Sequence, residues 1–314
     1  MTKAHIIHII KILTFIIVLS FIVDKIVYFT VTKISDNVFS GQAVGKLNQY
    51  LTIKDTTKTI VFGSSRANHH IDIRKLTQSS YNIGIDGKFV AYSSILIKLL
   101  PKDKAQNIIL HLDPNVGFRP QYSREEIKSL MVKYHRNDII KDELIKAEKN
   151  TVFQKFYWCI DYNGSVLGIL KNAVFPKYNS DGYYGFDPLV LTQTEIDVFQ
   201  KLLARNDQIS TCRDEVKINQ TYLSYLEEII AFCKANNKNL IAITSPIYDD
   251  NCPDDNAIMA SILKDNGIEY YDYTNFFKDD HDHDLKYWRD YAHLSDVGAE
   301  IFSEALSKDL IINE

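Results

Sequence analysis

Apolar and polar residues fall into three regimes along this 314-residue chain. The first runs from Ile6 to Val31, IIHIIKILTFIIVLSFIVDKIVYFTV, broken only by His8, Lys11 and the Asp24-Lys25 pair. As a helix it would cover about 39 Å at 1.5 Å per residue, enough to cross a hydrocarbon core of about 30 Å with tilt. A cleavable signal peptide has a shorter apolar stretch and small residues at its cut site, and no A-x-A pattern appears here. Residues 1–31 are therefore expected to be an uncleaved transmembrane anchor. The flank carries Lys3, with Lys11 just inside, and no acidic residue, which places that end in the cytoplasm and the body of the chain outside. A buried amphipathic helix of a soluble protein is the competing reading, kept open by Lys11 and Asp24-Lys25.

The second regime alternates short apolar runs with helical periodicity. After a polar stretch holding one helical candidate, GKLNQYL, the run KTIVFG at 58–63 reads as a buried strand ended by glycine. Similar runs recur at Tyr81, in NIILHLD (107–113), NLIAITSP (239–246) and IEYYDYT (268–274). Helical patterns lie between them: VAYSSILIKLL (90–100), NQTYLSYLEEIIAFCKANN (219–237) and DNAIMASILKDNG (255–267). Strand followed by helix, repeated, predicts an α/β fold in which helices sandwich a parallel sheet.

The third regime, about 117–216, interrupts this rhythm. A charged helix candidate, REEIKSLMVKYHRNDIIKDELIKAEKN, precedes the aromatic segment FYWCIDYNGSVLGILKNAVFPKYNSDGYYGFDP and a helix near TEIDVFQKLLARN. A hundred residues between two core strands predict a cap inserted into one domain spanning 32–314. The aromatic segment would cover the site, stack sugars, or simply pack.

The net charge of -4, with no basic tract interleaved with aromatics, argues against a nucleic-acid partner. Cys159, Cys212, Cys233 and Cys252 form no C-x-x-C pair, so zinc-ribbon and redox motifs are unsupported, and three pairings stay open. Cys233 falls on the apolar side of its helix and is expected to be packed. The run DDHDHDLKYW, with His281 and His283, reads as a solvated acidic loop rather than a zinc site. G-I-D-G lacks dinucleotide-fingerprint spacing and no Walker motif occurs, so neither cofactor nor metal is expected.

Four fragments carry candidate chemistry. IVFGSSRANHH sets Gly63-Ser64-Ser65 after the first strand, where a strand-to-helix turn exposes a hydroxyl and gathers backbone N–H groups. A serine hydroxyl needs a histidine to take its proton near pH 7. WRDYAHLSDVG supplies one: Asp290 and His293 stand three apart before a helix that Ser295 can cap, a spacing that lets the carboxylate reach Nδ1–H while Nε2 faces serine. YNIGIDG offers Asn82 and the Gly84 N–H, and HLDPNVG offers the Asn115 amide, as donors lining the cleft. Arg66 could hold an anionic or carbonyl group, or form an exposed ion pair. The adjacent His69 and His70 point in different directions, so at most one could line the site, and surface or interface placement is the expectation.

These fragments resemble the SGNH (GDSL-like) hydrolase superfamily over about residues 58–306. G-S-S stands where its first block has G-D-S, N-I-G-I-D-G matches N-x-G-x-x-G, D-P-N stands for G-x-N, and D-Y-A-H matches D-x-x-H. Ser64 and Asp113 depart from the pattern. The resemblance implies a flavodoxin-like three-layer α/β/α sandwich, a Ser65–His293–Asp290 triad with Ser65 rather than Ser64 as nucleophile, and an oxyanion hole of Ser65, Gly84 and Asn115. With the anchor and insertion, the chain looks similar to the membrane-tethered branch in cell-envelope polysaccharide O-acetylation, which implies a multipass membrane acyltransferase as partner. An esterase or deacetylase with the same triad, and a non-catalytic anchored scaffold, are the alternatives.

Overall fold

The five apolar runs form five strands: β1 (Thr59–Phe62), β2 (Ser80–Asn82), β3 (Gln106–His111), β4 (Lys238–Thr244) and β5 (Glu269–Asp272). All pair in parallel in the order β2-β1-β3-β4-β5, with Val61 opposite Asn82 on one side and Ile109 on the other. β1 and β3 are buried at every position, as strands covered on both faces must be, whereas β5 at the edge is half exposed. Each core side chain such as Ile60, Ile109 or Ile241 contributes about 1.5–3 kcal/mol of burial.

The computed structural model describes residues 2–179, 182–205, 212, 216–278 and 284–310. In chain order its helices are α1 (Lys3–Asp36), α2 (Val44–Ile53), α3 (Ser65–His70), α4 (Val90–Ile97), α5 (Pro114–Gly117), α6 (Asp138–Lys146), α7 (Val166–Val174), α8 (Gln193–Arg205), α9 (Gln220–Ala235), α10 (Pro253–Asp265) and α11 (Asp296–Asp309). Helix α4 has apolar residues all round, with Ser93 and Ser94 among them, and is buried at every position. Asn219 caps α9 through the N–H groups of Thr221 and Tyr222, and Ser295 caps α11 through that of Gly298. The charged run expected as one helix divides into a 3-10 stretch, Glu125–Lys133, and α6. The break falls at Asn137, whose side chain accepts the Ile140 N–H and starts a new helix.

Two compact units result. Met1–Asn48 with Ile127–Ser180 forms one, and Gln49–Glu126 with Asp181–Glu314 forms the other. The sheet belongs entirely to the second. Half of the interrupting segment therefore clusters with the N-terminal helix, not with the strands between which it is inserted.

Helix α1 is long and apolar enough to span a membrane. Its large apolar side chains from Ile6 to Leu19 are exposed. Within the sheet unit Cys212 and Cys252 form a disulfide, while Cys233 is buried as a free thiol pushed up to about 12 by burial.

Candidate active site

The turn after β1 is shaped by crowding. Gly63 has φ of +153°, and a Cβ there would stand 2.8 Å from the Cβ atoms of Ala67 and His111, so no larger residue fits between α3 and β3. Ser64 follows as the cap of α3, buried, its Oγ accepting the Arg66 N–H at 3.4 Å. That contact turns the Ser64 hydroxyl toward the backbone at the start of α3. Ser65 is the first residue of the helix, so its own N–H has no acceptor within α3. The turn lies at the carboxyl ends of β1 and β3. In this strand order that is where the winding direction reverses and where α/β sheets hold ligands.

Ser65 Oγ lies 2.7 Å from His293 Nε2. Both oxygens of Asp290 lie 3.0 Å from His293 Nδ1. Asp290 Oδ1 also accepts the backbone N–H groups of Ala292 and His293 at 2.8 and 3.0 Å, which folds the D-x-x-H segment into a tight turn. Burial raises the Asp290 pKa, but the His293 hydrogen bond and charge and the two backbone donors outweigh it, so the carboxyl sits below its ordinary value. An antiparallel bridge between Trp288 and Leu294, and Ser295 N–H donated to Tyr287 O at 2.8 Å, close the base of the loop. Asp290 thereby holds Nδ1 protonated, leaving the Nε2 lone pair toward serine.

The remaining candidates divide. Gly84 does not aim its N–H into the cleft: it donates to Asn82 Oδ1 at 2.8 Å, the two-residue side-chain turn that Asn-x-Gly favours. Asn82 is no substrate ligand either, since it is fully buried and its Nδ2 donates to Ala67 O and Ile71 O at 2.7 and 2.9 Å, capping the end of α3. Arg66 is buried too. Its Nη2 donates to the Ser245 carbonyl, and Nη1 stands 3.7 Å from Asp113 Oδ1. Desolvation lowers the guanidinium pKa while Asp113 opposes the shift. Asp113 is thus the countercharge of the arginine that follows Ser65. Asn115 is exposed on the first turn of α5, beyond β3, at the carboxyl edge of the sheet that also carries Ser65.

Sequence reasoning missed the floor of the site. His69 and His70 are both buried, contrary to the expectation of surface placement. Their rings meet that of His293 edge-on, at centroid distances of 5.9 and 6.1 Å. The Leu294 N–H donates to His70 Nε2 at 3.0 Å, so the His70 proton is on Nδ1, which donates to Ser245 Oγ at 2.8 Å. Ser245 in turn approaches His111 Nε2 with its hydroxyl at 2.9 Å and its N–H at 3.2 Å. Burial first, and the Arg66 charge second, push both His70 and His111 well below the ordinary histidine range. His69 Nδ1 donates to the Asp187 carbonyl at 2.5 Å, with Asp86 Oδ1 3.0 Å from Nε2. The available signals were a histidine inside the apolar run NIILHLD and a serine ending NLIAITSP, polar residues that a buried strand end admits only when paired.

Among the described residues no group of three His, Cys, Asp or Glu could hold a metal ion. His281 and His283 lie outside the described residues. No protein-family model and no curated protein matches this chain.

Proposed function

We propose that the protein is a serine-dependent acyl-transfer enzyme of the SGNH type. It would be held at the membrane by α1, with its sheet unit outside the cytoplasm, and would move acyl groups, most simply acetyl, onto hydroxyls of an extracytoplasmic polysaccharide together with a multipass membrane acyltransferase. The observation that carries the reading is the unbroken hydrogen-bonded series Ser65 Oγ, His293 Nε2, His293 Nδ1, Asp290, assembled from opposite ends of the sheet unit. In the first half-reaction Ser65 Oγ attacks the acyl carbonyl as its proton passes to His293 Nε2, and the same proton then leaves with the departing alcohol. In the second, the acceptor hydroxyl gives its proton to His293 and attacks the acyl-serine, and the proton returns to Ser65 Oγ. The Ser65 N–H and the Asn115 amide are the donors for the oxyanion; one such donor is typically worth about 100- to 1,000-fold in rate.

Hydrolysis by the same residues is the second reading, favoured by exposure: the His293 and Asp290 side chains are 25% and 46% accessible, so water reaches the triad. Incubation with an activated acetyl ester and an oligosaccharide separates the two by whether acetyl appears on sugar or only in water. The triad itself is tested by a fluorophosphonate probe. The full chain is expected to label, Ser65→Ala to lose labelling, His293→Ala to label at least 100-fold more slowly, and Ser64→Ala to label still. No labelling of the unmutated chain leaves the non-catalytic scaffold as the correct reading.

A further inference from the structure

Helix α1 changes character at Ser20. Side chains from residue 3 to Leu19 are exposed all round, whereas from Ser20 onward a stripe comprising Ser20, Asp24, Tyr28, Thr32 and Ser35 is covered, at helical spacing. What covers its start is the pair of 3-10 turns Val152–Lys155 and Trp158–Tyr162, in the same compact unit. Phe21 stacks on Tyr157 at 5.0 Å and meets Phe156 edge-on at 6.4 Å, and Ser20 Oγ and Tyr157 OH are 2.9 Å apart. Lys25 Nζ donates to Phe156 O at 2.8 Å.

The length of the uncovered part then decides where these turns sit. Seventeen residues, 3–19, rise only about 25 Å, short of the roughly 30 Å of a hydrocarbon core. A crossing of about 20 residues that starts at Ile6 ends near Lys25, about 8 Å beyond Ser20. If Lys11 is held outside the core, the crossing ends later still. In either case the turns lie at bilayer depth.

We propose that residues 152–158 are a second membrane contact, a wedge seated among the acyl chains and headgroups at the outer margin of the bilayer. This rests on α1 being a transmembrane anchor. Two independent features fit a lipid occupant. Val152, Phe153 and Phe156 point outward, 71%, 67% and 51% exposed, with Tyr157 and Trp158 beside them as in interfacial aromatic belts. Much of the backbone is also provided for, as lipid demands of non-helical chain. Gln154, Phe156 and Tyr157 donate within the turn, and the Trp158 and Cys159 N–H groups donate to the buried Asp24 carboxylate at 2.9 and 3.0 Å. Lys155, exposed between the phenylalanines, is long enough to lift its ammonium to the headgroups.

The test uses the purified full chain in phosphatidylcholine vesicles brominated at shallow or deep acyl positions, reading tryptophan quenching relative to the unmutated protein. Phe153→Trp and Val152→Trp are expected to add fluorescence that shallow bromines quench at least twofold more than deep ones. Phe15→Trp reports the anchor and should be quenched most by deep bromines; Ile145→Trp, exposed on α6, should be quenched by aqueous iodide and by neither lipid. If Phe15→Trp behaves as an anchor while Phe153→Trp and Val152→Trp behave like Ile145→Trp, the wedge is wrong and the anchor stands. In that event the apolar turns await a protein surface. If Phe15→Trp is itself unquenched by lipid, the anchor reading fails and takes the wedge with it.

Discussion

His70 and His111 show how much of the proposed triad's geometry is set outside its three members. Leu294, whose N–H is fixed by His70, is the residue after His293, so the imidazole that must face Ser65 is positioned from below by a second imidazole held neutral. Both buried histidines stay unprotonated in the folded chain and would take up protons below their ordinary value of about 6.5 once unfolded. The unfolded state then binds more protons, so stability falls as pH drops below about 6.5, with a slope near 1.4 kcal/mol per pH unit for each histidine. Carboxylates add their own loss only lower, which makes pH 5 to 6.5 the informative window. Denaturant midpoints across that window are expected to slope accordingly, and His70→Gln, which keeps an acceptor for the Leu294 N–H, should flatten the slope. An unchanged slope in His70→Gln would mean that His70 is already charged in the native state.

At the scale of elements, α3 is the piece on which the site depends, and it is clamped between two glycines. Gly63 admits the helix against β3; Gly84 lets the segment after β2 pass so close that a Cβ would meet the Asn68 backbone nitrogen at 2.6 Å. Gly84→Ala is expected to cost about 1–3 kcal/mol through overpacking and to slow probe labelling of Ser65 as α3 shifts. Gly168→Ala on α7, where an added Cβ meets nothing within 4 Å, should be neutral or gain up to about 1 kcal/mol. Equal loss in both variants would mean that crowding at α3 is not the cause. All five strands and most helices were legible because each carries its own periodicity, and Ser65, Asp290 and His293 because their spacing has a chemical reason. Gly84 was misjudged for a local reason: Asn-x-Gly reads equally as a free N–H and as a side-chain turn, and only the burial of Asn82 decides. Arg66, His69 and His70 were misjudged because a six-residue helix carries too little periodicity to say which side is inside. That 127–180 clusters with residues 1–48 was out of reach, since pairing Asp24 with the N–H groups of Trp158 and Cys159 leaves no mark at either place in the sequence.

At the scale of the whole chain, the Cys212–Cys252 bridge and the charge at the N-terminus bear on the same question, which side of the membrane the sheet unit occupies. Disulfides persist in oxidising compartments, and a short flank bearing Lys3 and no acidic residue favours the cytoplasm, so both support the proposed outward orientation. The bridge closes a loop of 40 residues, which in the chain-entropy account corresponds to about 4 kcal/mol. Reduction is therefore expected to lower the unfolding midpoint of the sheet unit by several degrees, read through Trp288 fluorescence in a Trp158→Phe background. The orientation can be tested with the same cysteines. Intact cells treated with a membrane-impermeant maleimide should label neither Cys212 nor Cys252 until a reductant is added, and both afterwards. Cys233, at 1% exposure, should stay unlabelled without denaturant and so separates reduction from unfolding. Labelling of Cys212 and Cys252 only after lysis, with no reductant needed, would place the sheet unit in the cytoplasm. A polysaccharide outside the membrane could then not be its acceptor, while the triad and its labelling by the probe would remain as proposed.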